Sequence, residues 1–265
     1  MKISFTKMHG LGNDFMVVNA LNQSYDLSAT KISQLANRYL GIGFDQLLMI
    51  EPAKNADFFC RIYNSDGSEA EQCGNGLRCV ARFIHEEKLH AQTSFRLETK
   101  AGIYPVEIKD YDHIRVTMGA PQIKQLLIDL PLSDHLNFIS VSILSLGNPH
   151  AITKVDSVDL VPVTVIAPQI AAQDYFPDGV NVGFMQIIDK HHVRLRTFER
   201  GAGETFACGS NACAAAVAGI ANGWVQPSVH VEFKYGSLMI DWNKDENVVH
   251  MVGAAAVVYE GEIKI

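Results

Sequence analysis

Short runs of apolar and β-branched residues recur along the whole chain and predict a structure rich in strands. The predicted strands of the first half are residues 1–8, 16–19, 46–51, 58–63, 95–99, 103–108 and 113–118. Those of the second half are residues 137–146, 150–155, 182–188, 192–199, 229–233, 237–242 and 248–253, followed by a final strand over 255–265.

Four longer segments favour helices instead. They are residues 28–40, 77–84, 162–175 and 212–220, so that each half of the chain holds two. Many short strands combined with two helices per half predict an α+β or mixed α/β fold, with the strands curled around a central helix.

The two halves repeat one another. Cys73-Gly74-Asn75-Gly76 precedes a predicted helix, and Cys208-Gly209-Ser210-Asn211 precedes another, at an offset of 135 positions. The same offset relates three further polar positions: Asn13 to Asn148, Gln46 to Asn181, and Asn64 to Glu199. We therefore predict two homologous, pseudosymmetric domains with an active-site cleft between them.

The glycine-containing segment 119–121 predicts the boundary between the halves. The first domain is expected to span residues 1–119 and to be joined by the C-terminal strand 255–265, because pseudosymmetric halves can exchange a terminal strand. The second domain then spans residues 120–254.

Composition narrows the class of protein. The 265 residues are 48% hydrophobic, which is typical of a globular chain and excludes a largely disordered one. A net charge of −7 without a basic run argues against nucleic acid as a partner. The sequence has no apolar run long enough for a membrane span and no signal-peptide pattern at its start, so we expect a cytoplasmic protein.

Five cysteines are too few for a disulfide scaffold in a chain of this length, and their spacing predicts no metal site. Cys60, Cys79 and Cys213 lie in apolar runs and are expected in the core. Cys73 and Cys208 precede predicted helices and are followed by glycine. The positive end of a helix dipole lowers the pKa of a thiol, so both are expected to be reactive.

Two such thiols suggest a proton-transfer reaction. If they flank a carbon that bears a carboxylate, one thiolate removes the α-proton and the opposite thiol returns a proton to the other face. Helix N-termini stabilise the negative charge that develops on the carboxylate. The sequence carries no pyridoxal-binding motif, so the predicted racemase or epimerase uses no cofactor.

Several motifs together resemble the bacterial diaminopimelate epimerase family over essentially the whole chain. They are MHGLGNDF at 8–15, NSDGS at 64–68, CGNGLRC at 73–79, GNPH at 147–150, ERGAGET at 199–205 and ACGS at 207–210. The resemblance implies interconversion of LL- and meso-diaminopimelate without a cofactor, in lysine and peptidoglycan synthesis. It also implies a homodimer that binds a small molecule.

The resemblance assigns roles to individual residues. Cys73 and Cys208 match the two acid/base cysteines, and His150 and Glu199 match positions that tune cysteine pKa values. The positions that match substrate-binding residues are Asn13, Gln46, Asn64, Gly74, Asn75, Asn148, Asn181, Glu199, Arg200, Gly209 and Ser210. No residue matches a metal ligand.

The chain departs from the family pattern at two places. Asn211 stands where members commonly carry glycine, and Phe198 stands where many carry tryptophan. Since asparagine tolerates unusual backbone conformations, we expect altered local detail and retained activity.

Three alternatives remain open at this point. A related cofactor-free racemase that acts on proline, hydroxyproline or histidine would keep both cysteines. A thiol hydrolase would use Cys73 with His150 and would not need Cys208. A non-catalytic module would bind amino acids without exchanging their protons.

Overall fold

The computed structural model describes residues 2–132 and 137–264. Within them the strands are β1 (Lys2–Gly10), β2 (Asn13–Asn19), β3 (Gln46–Glu51), β4 (Phe58–Asn64), β5 (Glu69–Ala70), β6 (Ser94–Thr99), β7 (Gly102–Ile108), β8 (Ile114–Gly119), β9 (Gln122–Pro131), β10 (Phe138–Ser145), β11 (Pro149–Lys154), β12 (Asn181–Ile187), β13 (His192–Glu199), β14 (Gly203–Thr205), β15 (Val229–Phe233), β16 (Gly236–Asn243), β17 (Val248–Gly253) and β18 (Ala256–Lys264). The helices are α1 (Ala29–Ala36), α2 (Gly74–Glu86), α3 (Val163–Ala171) and α4 (Gly209–Ala221), with a 3₁₀ turn at Val158–Leu160. The predicted mixed α/β class is confirmed. Met1 and Ile265, the outer residues of two predicted strands, lie outside the described residues.

The chain forms two compact units. The first is the described part of Met1–Val116 together with that of Gly253–Ile265. Its strands pair in the order β18, β1, β2, β3, β4, β6, β7 and β8, and β5 pairs with β4. The β2–β3 and β4–β6 pairs are parallel, and the others are antiparallel.

The second unit is the described part of Thr117–Val252. Its strands pair in the order β9, β10, β11, β12, β13, β15, β16 and β17, and β14 pairs with β13. The β11–β12 and β13–β15 pairs are parallel. The two units therefore share one topology.

The internal repeat extends to the secondary structure. Helix α4 begins and ends 135 residues after α2 begins and ends. The strand register repeats as well, because Phe15 pairs with Gln46 in the first unit and His150 pairs with Asn181 in the second. The offset found from a few polar motifs thus describes the order and pairing of whole elements.

The outermost strand of each sheet comes from the end of the other repeat. Strand β9 is the last strand of the first repeat and pairs with β10, the first strand of the second repeat. Strand β18 follows the second repeat and pairs with β1, the first strand of the first. Strand β18 is far in sequence from its partner β1, whereas β9 directly precedes its partner β10.

A helix lies at the centre of each unit. Every residue of α4 from Gly209 to Ile220 is buried, and most of its side chains are alanine. A helix that is apolar on all sides must be surrounded by protein, and small side chains let strands approach it closely. Helices α1 and α3 cover other faces of the sheets through Ile32 and Leu35 in one unit and Val163 and Ile170 in the other. None of the helices among the described residues has both the length and the apolar character that a membrane crossing requires.

Two helices were predicted too long, and three strands, β5, β9 and β14, were not predicted. Helix α3 ends at Ala171 and not at residue 175. Helix α1 ends at Ala36 and not at residue 40, because the Asn37 Oδ1 accepts the backbone N–H groups of Tyr39 and Leu40 at 2.9 Å each. Such an asparagine turn competes with helix continuation. Strand β9 was not predicted, since its first six residues are exposed and show no apolar alternation.

The two units differ in how they fill one position beside the central helix. In the first unit, Leu48 packs on Gly76, with its Cδ1 at 3.1 Å from where a Cβ would be. The equivalent residues of the second unit are Gly183 and Asn211. A Cβ on Gly183 would lie 2.9 Å from Asn211 Oδ1 and 2.7 Å from Ile152 Cδ1. The larger side chain at this position therefore belongs to the strand in the first unit and to the helix in the second.

Replacing Gly183 by alanine should therefore overpack this position. We expect Gly183→Ala to lower the free energy of unfolding by about 1–3 kcal/mol, measured by urea denaturation. The Ile152→Val substitution removes the Cδ1 atom that the new methyl would meet, so the double variant should lose less than the sum of the two single losses. Strict additivity of the two changes would contradict this packing account.

Candidate active site

Cys73 is the N-cap residue of α2. Its backbone is extended, with φ −149° and ψ 105°, and its Sγ accepts the Gly76 N–H at 3.4 Å. It is partly exposed, whereas the other four cysteines are buried. The thiol therefore lies at a helix N-terminus, as the sequence predicted.

Two asparagine side chains meet beside Cys73. The Asn13 Oδ1 lies 3.7 Å from Cys73 Sγ, and Asn75 Nδ2 donates to the same Oδ1 at 3.4 Å. The buried Arg78 holds Asn75 in this orientation by donating from Nη2 to Asn75 Oδ1 at 2.9 Å. The structure thus brings Asn13, Cys73 and Asn75 together.

A cluster of four charged residues anchors Asn13 from the other side. Asp45 Oδ2 accepts Asn13 Nδ2 at 2.9 Å, and Asp45 Oδ1 accepts Arg38 Nη2 at 2.7 Å. Arg38 also pairs with Asp14 at 2.8 Å, and Lys7 pairs with Asp14 from the buried side. Because a carboxylate only accepts hydrogen bonds, Asp45 requires the Asn13 amide to turn its oxygen toward Cys73.

Sequence reasoning did not identify this charged cluster. The sequence does show that each carboxylate is next to a predicted binding residue. Asp14 directly follows Asn13, and Asp45 directly precedes Gln46. A carboxylate next to a strand that enters the core needs a partner. Its partner Arg38 lies in a different segment, which the sequence alone does not indicate.

Gln46 and Asn64 form a second polar pair in the first unit. They are directly opposite in the β3–β4 register, and Gln46 Nε2 donates to Asn64 Oδ1 at 2.9 Å. Gln46 Oε1 is buried and has no hydrogen-bond partner among the described residues. A buried acceptor without a donor is costly, so this atom is suited to a donor from a ligand.

Cys208 is the N-cap residue of α4 and is buried. Burial raises the pKa of its thiol well above the ordinary value, and the nearby Glu199 carboxylate raises it further, while Ser210 and the Asn211 backbone oppose the rise. The prediction that the helix N-terminus lowers this pKa is therefore wrong for Cys208. Desolvation and a like charge outweigh the dipole.

His150 lies fully buried in the second unit. Its Nε2 is 3.0 Å from Asn148 Oδ1, and its Nδ1 is 3.3 Å from Asn211 Oδ1. Burial lowers the pKa of its imidazole to about 4, with a smaller contribution from the positive charge of Arg200. The ring is therefore neutral near pH 7. Contacts connect it to Cys208, since Asn148 lies 3.3 Å from Ser210 and Ser210 lies 3.5 Å from Cys208.

The remaining predicted residues of the second unit form a separate contact. Asn181 accepts the Arg200 backbone N–H at 3.1 Å and donates to the Pro149 carbonyl at 3.1 Å. The Arg200 guanidinium donates to the Asp178 carbonyl at 3.1 Å. The structure thus joins Asn181 to the Arg200 backbone and directs the guanidinium elsewhere. Glu199 accepts a hydrogen bond from Thr205.

The other three cysteines are core residues, as predicted. Cys60, Cys79 and Cys213 are each at most 1% exposed. Burial raises the pKa of Cys60, and it raises that of Cys79 to about 12, so neither is a thiolate at neutral pH. Among the described residues no group of three or more histidine, cysteine or acidic side chains is arranged to hold a metal ion.

The charged cluster should make the protein sensitive to acid. Burial alone would raise the pKa of Asp14, but its contacts with Arg38 and Lys7 lower it to about 2. Because this carboxyl titrates below its unfolded value of about 3.9, its stabilisation is present above pH 4 and is lost as the pH falls toward 2. We expect the loss to be about 2 kcal/mol in the free energy of unfolding.

The measurement is urea unfolding of the natural chain and of Asp14→Asn across this range. The variant should be less stable at neutral pH, because Lys7 loses a buried partner, and its stability should depend less on pH below 4. Asp26→Asn, which replaces an exposed carboxylate of the same unit, is the control. An equal pH dependence in all three proteins would contradict the assignment to Asp14.

Known proteins match this sequence over essentially its whole length. A family model described as "Diaminopimelate epimerase" matches residues 5–124 and 142–258. The chain is 45% identical to the diaminopimelate epimerase of Nitrosomonas europaea, over 100% of both proteins. It is 48% identical to that of Acinetobacter baumannii strain AYE, over 100% of this chain and 98% of the relative.

Solved structures add evidence on the fold. A crystal structure of a hydroxyproline epimerase from Agrobacterium vitis, with bound trans-4-hydroxy-L-proline, matches 99% of this chain and 92% of that one. The TM-score is 0.75 and the sequence identity 17%, so the likeness concerns the fold alone. The family model and the full-length relatives match this chain in sequence and not only in fold. It shows that the chain belongs to the diaminopimelate epimerase family, a family of isomerases.

Proposed function

We propose that this chain interconverts LL- and meso-diaminopimelate without an organic cofactor, with Cys73 and Cys208 as its two proton carriers, in lysine and peptidoglycan precursor synthesis. The observation that carries the proposal is the position of the cysteines. Each is the N-cap residue of the central helix of its unit, at the same place in the repeat. Two acid/base groups are what inversion at a carbon centre needs.

The helix N-termini support binding of the reacting carboxylate. The first backbone N–H groups of a helix have no acceptor within the helix, and they attract anions. Gly74 and Gly209 follow the cysteines and carry no side chain that would keep a ligand away from the backbone. Asn75 and Ser210 follow them and add polar side chains.

The reaction balances with two thiols. A thiolate takes the α-proton, and the electron pair of the broken C–H bond is delocalised into the carboxylate. The opposite thiol donates its proton to the other face of the carbon, so that a new C–H bond forms and that sulfur becomes the thiolate. No net charge is gained or lost over the step.

The raised pKa of Cys208 assigns the starting roles within this proposal. Burial and Glu199 hold Cys208 in its thiol form, so it begins as the acid. Cys73, which is partly exposed and accepts the Gly76 N–H, then begins as the base. After one turnover the roles are exchanged, and the reverse reaction starts from that state.

Amide side chains support recognition of the far end of the substrate. In the first unit Asn13, Gln46 and Asn64 carry amide donors and acceptors, and in the second Asn148 and Asn181 do so. Arg200 adds a positive charge that reaches a substrate carboxylate once its guanidinium leaves the Asp178 carbonyl. A second ammonium and carboxylate need both kinds of group. The partnerless Gln46 Oε1 is a suitable acceptor for an ammonium N–H. A cytoplasmic homodimer completes the proposal, supported by the resemblance described above.

Alanine at either catalytic cysteine should abolish epimerisation. We expect Cys73→Ala and Cys208→Ala each to lower kcat by roughly 10³-fold or more, because each removes an acid/base group. Cys213→Ala is the matched control, since Cys213 lies buried in the same helix as Cys208 and takes no part in the mechanism. A Cys208→Ala protein with near-normal epimerisation would overturn the two-thiol mechanism.

Proton exchange in D₂O tests the substrate. With LL-diaminopimelate, NMR should show deuterium at one α-carbon together with meso product, because the far centre is bound and not attacked. Proline, trans-4-hydroxyproline and histidine should show no exchange, since none has a second zwitterionic end. Exchange with one of these alone would indicate a related racemase, and binding of diaminopimelate without exchange would indicate a binding module.

A further inference from the structure

Asn211 makes contacts on three neighbouring strands. It lies in the first turn of α4 and is fully buried. Its Nδ2 donates to the Val182 carbonyl of β12 at 3.0 Å and contacts the Thr197 hydroxyl of β13. Its Oδ1 faces His150 Nδ1 of β11 at 3.3 Å. The glycine of Gly183 leaves the space that this side chain occupies.

The orientation of the Asn211 amide is determined by its surroundings. If the amide were turned by 180°, its oxygen would face the Val182 carbonyl oxygen at about the present 3.0 Å. Two acceptors would then lie in contact in a fully buried place, which costs as much as a lost buried hydrogen bond. The Asn211 Oδ1 therefore points at His150 and can only accept.

A neutral imidazole has one N–H and one acceptor nitrogen. With Asn211 Oδ1 at Nδ1, the proton of His150 belongs on Nδ1, and Nε2 becomes the acceptor. The neighbour of Nε2 is the Asn148 amide, 3.0 Å away. Asn148 must then present its Nδ2 to the ring.

Asn148 can adopt that orientation without loss. Its other contact is the Ser210 hydroxyl at 3.3 Å, and a hydroxyl donates as readily as it accepts. When Asn148 turns its Nδ2 to His150, Ser210 donates to the Asn148 Oδ1. Turning Asn148 therefore preserves its contacts, whereas turning Asn211 breaks one.

We propose that Asn211 is a positioning residue that fixes His150 as the Nδ1–H tautomer. It thereby sets the direction of a hydrogen-bond chain that runs from Ser210 to Asn148, His150, Asn211 and the Val182 carbonyl. This extends beyond the proposed reaction, which assigns no role to the protonated nitrogen of His150 or to Asn211.

The chain has a consequence for Cys208. Ser210 Oγ lies 3.5 Å from Cys208 Sγ and would stabilise a thiolate by donating to it. In the proposed chain the Ser210 proton points to Asn148 instead, so Ser210 no longer supplies the hydrogen bond that lowers the Cys208 pKa. The charged groups that face this network are Glu199, beside Cys208, and Arg200, whose charge acts on His150. Glu199 disfavours the Cys208 thiolate, and Arg200 disfavours the protonated form of His150. The hydrogen-bond chain adds to the effect of Glu199, because it also disfavours the Cys208 thiolate.

The tautomer is measured directly by NMR. In protein labelled with ¹⁵N-histidine, a long-range ¹H–¹⁵N correlation spectrum at neutral pH distinguishes protonated from unprotonated ring nitrogens. A His150→Gln variant identifies the signals of this ring by their disappearance. We expect a protonated Nδ1 and an unprotonated Nε2. An Nε2–H tautomer, or a ring protonated at both nitrogens, would overturn the proposal.

Two variants separate positioning from packing. Asn211→Gly removes the acceptor at Nδ1, and we expect the population of the Nε2–H tautomer to rise. Thr197→Val removes one contact of Asn211 and leaves the Val182 carbonyl in place, so the tautomer should stay as in the natural chain. A tautomer that is unchanged in a folded Asn211→Gly protein would show that Asn211 only fills space. Thermal unfolding confirms that both variants are folded.

Alkylation of Cys208 tests the link to the thiol, which rests on the proposed function. In a Cys73→Ala background, iodoacetamide labelling of Cys208 is followed against pH by peptide mapping. The midpoint of its rate should fall when Asn211 is replaced by glycine, because Ser210 is then free to donate to the thiolate. An unchanged midpoint would overturn this link. The epimerase assay is independent of both measurements, so a failure of the proposed function is recognised separately.

Discussion

Two helices that begin inside the protein constrain the rest of this structure. Their first backbone N–H groups lack helical acceptors, and a buried donor without a partner costs about 1–3 kcal/mol. At the start of α2 the Cys73 sulfur takes one of these N–H groups. In the proposed reaction the remaining groups bind the carboxylate of the substrate. The sheets can enclose these helices because α4 is built mainly of alanine and α2 carries glycine against Leu48. Asn13 lies at the start of α2 and Asn148 at the start of α4, because the strands that carry them begin there or just after.

The two units hold equivalent asparagines by different chemistry. Asn13 is oriented by a partly exposed ion cluster, in which Asp45 takes its amide nitrogen and Arg38 and Lys7 balance the acidic charges. Asn148 is partly buried and is oriented by a neutral network that contains the fully buried His150. The first arrangement weakens with acid, because it depends on an ionised carboxylate. The second keeps its imidazole neutral until the pH falls to about 4. The two units thus share the position of this asparagine, but charged groups hold it in the first unit and neutral hydrogen bonds hold it in the second.

Much of this fold follows from local sequence, and the missing parts have physical causes. The strands that alternate against a core and the cysteine-glycine motifs were predictable because neighbours in sequence determine them. The end of α1 was not, since it depends on a side-chain turn at Asn37. The pKa of Cys208 was predicted with the wrong sign, because the helix dipole is a local property while burial and the Glu199 charge are tertiary ones. The partners of Asn13 and Asn211 come from segments far away in sequence, so their roles appear only in the folded chain.

Because β9 pairs with β10 and β18 pairs with β1, one sequence repeat does not contain all the strands of one compact unit. Each repeat supplies its last strand to the sheet of the other, so β1 and β10 both pair with a strand from outside their own repeat. A chain cut between the repeats would leave two fragments, each with an unpaired edge and a strand that has no sheet. Two copies of one such fragment could complete each other by the same exchange. The single chain is in this sense a strand-swapped dimer whose two subunits have been covalently joined.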